Sequence, residues 1–96
     1  MINKQFTQLV RDQMIRNPTT SLTHWGDAIL KLNTKKRLGI KLDEHEHMFA
    51  RILSVKNLFD KQAISQERFI FFLEREEYDC IIKFSGVIVQ ACVKCA

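Results

Sequence analysis

Turn-forming residues are scarce in this chain: three glycines and one proline serve 96 residues. Reversals of a many-stranded sheet draw heavily on glycine and proline, so a chain this poor in them favours helices. Hydrophobic residues make up 46% of the sequence, too many for a disordered chain. The expected fold is therefore mainly α: a compact bundle of four to five short helices, forming a single helical domain over residues 1–96. A chain of this size buries roughly 60 to 65% of the surface it exposes when unfolded, enough for one core.

Hydrophobic spacing places the helices. Phe6, Val10 and Met14 recur every four residues, with Leu9 beside them, and predict a helix over residues 2–16. Asn17-Pro18 ends it, because the residue before proline is driven out of the α region. Thr19, Thr20 and Ser21 offer capping hydroxyls, and Leu22, Trp25, Ile29 and Leu32 mark a second helix. Gly39 is its natural stop, and Lys35, Lys36 and Arg37 suit the negative end of its dipole.

Asp43 and Glu46 have the spacing of a capping box. Met48, Ile52, Val55 and Phe59 continue behind them at helical intervals, widened by Phe49 and Leu53. Ser65 caps a fourth helix that carries Phe69, Ile70, Phe72 and Leu73 to about Glu77. Phe71 falls off its main stripe, which predicts cover on more than one side.

Residues 79–95 fit two patterns. As a helix, Asp79, Lys83, Gly86, Gln90 and Lys94 form one polar stripe. As a β-hairpin turning at Ser85-Gly86, one face would be wholly apolar, giving an α+β alternative. A lone hairpin is marginal without further strands, so the helix is expected. The core is expected to draw on Phe6, Val10, Trp25, Ile29, Ile52, Phe59, Phe69, Phe72 and Ile82.

Several function classes fall away. The longest apolar stretch, residues 80–96, is broken by Lys83, Gln90 and Lys94, short of the roughly 20 apolar residues of a membrane span. The first residues have no apolar signal core. Three cysteines, all within the last 17 residues, make no disulfide framework and point to a reducing, cytoplasmic setting. No justified Ser-His-Asp order, phosphate-cradling glycine loop or isolated carboxylate pair marks an enzyme, and no cofactor is expected.

Charge is the strongest functional signal. Residues 1–42 hold eight Lys/Arg against two Asp, whereas residues 43–96 hold seven against nine acids. The excess concentrates in Lys31, Lys35, Lys36, Arg37 and Lys41, which would contact phosphate groups or an acidic partner, or else form a solvated helix end. As a helix-turn-helix, the helix after Asp43 would enter the groove with Asp43, Glu44 and Glu46 leading, and these acids would repel the DNA backbone. Trp25, next to polar His24 and Asp27, is the aromatic residue most suited to a contact.

Two clusters resemble metal sites. Asp43 and His47 lie one turn apart, but His45 and His47 lack the i, i+4 spacing of a metalloprotease helix, and capping explains the carboxylates. Cys92 and Cys95 form a CxxC pair with no second pair, the mark of incidental thiols. The reading is a small non-enzymatic regulator or inhibitor that binds a protein partner, itself part of a nucleic-acid-handling complex. Small phage and plasmid accessory factors offer an analogy in size and charge alone. Direct DNA or RNA binding through the basic segment comes second, and a metal-binding module using Cys92, Cys95 and a histidine third.

Overall fold

The computed structural model describes residues 2–76, and every regular element among them is helical. They form α1 (Lys4–Arg16), a 3₁₀ turn (Leu22–Trp25), α2 (Gly26–Arg37), α3 (Glu44–Asp60) and α4 (Gln66–Arg75). The mainly α expectation is met by four helices. The helix-or-hairpin question over residues 79–95, together with Ile82, Cys92 and Cys95, lies outside the described residues. The chain divides within α3 into two units, Met1–Ala50 and Arg51–Ala96.

In the first unit, α1 starts two residues later than its hydrophobic stripe suggests. Asn3 is extended, and its side chain accepts from Phe6 N–H at 2.9 Å, which makes it the cap. Asn17 N–H closes the far end on Gln13 O at 2.8 Å. The expected second helix opens as a 3₁₀ turn. Ser21 caps that turn in the usual way, accepting from Thr23 N–H at the N2 position, 3.3 Å away. The chain settles into α geometry only from Gly26.

At the end of α2, Gly39 N–H reaches Lys36 O and Ile40 N–H reaches Lys35 O, at 3.2 and 2.9 Å. These are the paired bonds of a Schellman motif, with Gly39 in the left-handed region at φ +71°. Ile2, Val10, Met14, Trp25, Leu32 and Phe49 are buried. Phe6, half-buried, meets Phe49 edge to face at 5.3 Å.

The second unit is built on aromatic contacts. Ile52, Val55, Leu58, Phe69, Phe72 and Leu73 are buried, and Phe59 stacks on Phe69 with centroids 4.7 Å apart. Fully burying such a side chain contributes roughly 1.5–3 kcal/mol. Ser65 caps α4 as expected, accepting from Arg68 N–H at 3.1 Å. Phe71 is half-buried, with the exposed Arg75 guanidinium of its own helix 4.6 Å from its ring.

After α3 the chain repeats the Schellman closure, with Gln62 N–H on Phe59 O and Ala63 N–H on Leu58 O, both 2.9 Å. Here the left-handed position holds Gln62 rather than glycine, at φ +62°. Of the expected core, Val10, Trp25, Ile52, Phe69 and Phe72 are buried, while Phe6, Ile29 and Phe59 are only half-buried.

Candidate functional site

The basic residues sit on α2 and on the strand of chain that follows it. Lys35, Lys36 and Arg37 occupy the last turn, where the helix dipole favours positive charge. They do not act alike. Lys35 points its Nζ at Glu46 Oε2, 2.6 Å away, and Glu46 is buried. Lys36, Arg37 and Lys41 are exposed, and among the described residues no ion pair holds them.

Glu46 is held in place by the capping box. Its N–H donates to Asp43 Oδ1 at 2.8 Å, and its Oε1 accepts from Asp43 N–H at 2.9 Å. The other carboxylate oxygen takes the Lys35 ammonium. These donors favour the ionised acids. Glu46 titrates below its ordinary value of 4.5, first because of Lys35 and then because of the Asp43 N–H. Asp43 titrates below 3.8, chiefly through the Glu46 N–H. The acids that looked like metal ligands are therefore engaged by the backbone and a lysine. Among the described residues no three His, Cys, Asp or Glu side chains gather as a metal site would require.

Beside the free cations stand uncovered apolar side chains that the charge pattern did not reveal. Leu30 is 66% exposed, Leu38 64% and Ile40 49%. On a helix, residues seven and eight positions apart share a face, so Leu30, Arg37 and Leu38 line up opposite buried Leu32. The signal was present in the sequence: Leu30 and Leu38 both fall off the stripe of Leu22, Trp25, Ile29 and Leu32.

Trp25 stands apart from this face. It is 6% exposed, and its ring meets His24 edge to face at 5.2 Å. It borders a pocket of about 360 Å³, together with Ile2, Phe6, His24, Asp27 and Lys31. The candidate residues thus fall into three places: Trp25 with Lys31 at the pocket, Lys35 in the ion pair, and Lys36, Arg37 and Lys41 on the exposed surface. Among the described residues no helix is long and apolar enough to cross a membrane. No family model matches the chain, and neither a curated protein nor a solved structure matches it.

Proposed function

We propose that this protein is a small, non-enzymatic regulator that works by binding a protein partner through the exposed side chains of α2 and of the residues that follow it. The observation that carries this reading is the mixture of exposed side chains on α2 and just after it. Leu30, Leu38 and Ile40 are uncovered alongside the exposed cations Lys36, Arg37 and Lys41. Cations alone would suit a phosphate backbone. Leucines interleaved with cations suit an acidic protein surface that also offers apolar side chains, where burial supplies affinity and charge supplies orientation and encounter rate. That the partner belongs to a nucleic-acid-handling complex rests on the basic charge alone.

Photo-crosslinking from position 36 in the native host, with mass spectrometry, identifies what lies against these side chains. Two variants then interrogate that partner in purified form: Leu30→Ser/Leu38→Ser and Lys36→Glu/Arg37→Glu. Both are expected to fold and to bind more weakly. The first raises the dissociation rate, and the second lowers the association rate and its salt dependence. Wild-type affinity in the leucine variant, joined to tight binding of plain duplex DNA with a steep salt slope, would replace this reading with direct nucleic-acid binding.

A further inference from the structure

The pocket beside Trp25 holds polar groups that the proposed partner contact does not use. Its apolar side comes from Ile2, Phe6 and the Trp25 ring, and its volume of about 360 Å³ falls within the range of small-molecule clefts. Trp25 is 6% exposed; its N–H makes no hydrogen bond among the described residues and is not sealed from solvent, so it is open to an acceptor. His24 packs edge to face on the same ring.

Two opposite charges stand at the edge of this pocket. Asp27 and Lys31 both border it and lie one helical turn apart on α2. Neither is held in an ion pair among the described residues, with the other or elsewhere. Side chains four apart on a helix have Cβ atoms about 5–6 Å from each other. An exposed pair at that spacing is weak, so direct Asp27–Lys31 contact competes little with a ligand that offers each a charged partner.

From this we infer that the pocket binds a free α-amino acid with an apolar side chain. The ligand ammonium faces Asp27. Its carboxylate accepts from Lys31 and from the Trp25 N–H, and its side chain lies on Ile2, Phe6 and the indole. A peptide terminus brings only one of the two charges and satisfies only half of the rim. The inference does not depend on the proposed partner contact, and each stands if the other fails.

Trp25 is the sole tryptophan of the chain, so its emission reports on the pocket directly. The full chain is titrated with L-leucine, leucinamide and N-acetyl-leucine. Leucine is expected to give a saturable change in emission, and each singly charged analogue to bind roughly tenfold more weakly, the loss of one charge-assisted contact. Lys31→Gln should weaken leucine and N-acetyl-leucine while sparing leucinamide, and Asp27→Asn should do the reverse. Both positions are exposed, and circular dichroism checks their folding. If a variant loses helicity, the three-ligand series on the wild type still decides. No emission change at ~10 mM leucine, well above the millimolar range of a weak specific site, overturns the inference. Equal affinity for all three ligands overturns it too, leaving only an apolar cleft.

Discussion

Each unit of the chain buries one partner of an ion pair, and the two units bury opposite partners. In the first, Glu46 is inside with its side chain 8% exposed, and Lys35 covers it at 40%. In the second, Lys56 is inside at 1%, and Asp60, 2.8 Å away, is 42% exposed. A carboxylate is short and has little apolar body, so it enters a fold only where directional donors await it. Glu46 finds them in the Asp43 N–H and the Lys35 ammonium.

A lysine brings four methylenes and can be buried largely by packing. The Lys56 ammonium lies 5.3 and 5.9 Å from the ring centres of Phe59 and Phe69, and its salt bridge offsets an acid that Asp60 places at the unfavourable end of α3. The first arrangement should therefore respond to pH, and the second to core volume.

The strongest way to break this contrast is to remove the aromatic wall. Phe69→Ala takes away a fully buried ring stacked on Phe59, and should cost about 3–5 kcal/mol in urea unfolding. Next comes the lysine itself. Lys56→Ala should cost about 2–5 kcal/mol, as for other long buried side chains cut to alanine. Lys56→Met, which keeps the length and drops the charge, should cost less than about 1.5 kcal/mol. If the methionine variant is as unstable as the alanine one, charge rather than packing holds Lys56 in place.

Acid sharpens the other half of the contrast. Asp43 and Glu46 both titrate lower in the fold than their ordinary 3.8 and 4.5. Their stabilisation is complete above the ordinary values and fades as pH falls through the depressed folded values. Unfolding measured along a pH series should lose stability in that acid range, and Glu46→Gln should flatten the slope. An unchanged slope would mean that the buried acid carries no linkage.

The smallest effect separates the two Schellman closures. Gln62 carries a Cβ at φ +62°, where Gly39 at +71° carries none. Gln62→Gly should stabilise by about 0.5–1 kcal/mol and Gly39→Ala should destabilise by about 1 kcal/mol, read as opposite shifts in Tm.

What could be read in advance follows the same division between local and distant causes. The capping box, the Ser65 cap and the Gly39 stop are signals within three or four residues, and each was legible. The Asn3 cap was missed because the apolar stripe appeared to begin at Ile2. The Gln62 reversal was missed because only glycine or asparagine advertises a left-handed residue. Lys35 was visible as a charge, but its engagement with Glu46 joins residues eleven apart, beyond any local pattern. Lys56 had a faint signal, since it falls four after Ile52 and beside Val55 on the buried side of α3. The exposed leucines of α2 became meaningful only once Leu32 fixed which side of the helix faces inward.

The burial of Lys56 also gives this chain a built-in chemical stopwatch. An amine-acylating reagent meets the exposed lysines Lys36, Lys41 and Lys61 at once, whereas Lys56, at 1% exposure, reacts only when the packing around it opens. Under brief labelling its modification should lag far behind theirs and accelerate with mild denaturant. The lag measures how often the second unit breathes, residue-specifically and without any mutation.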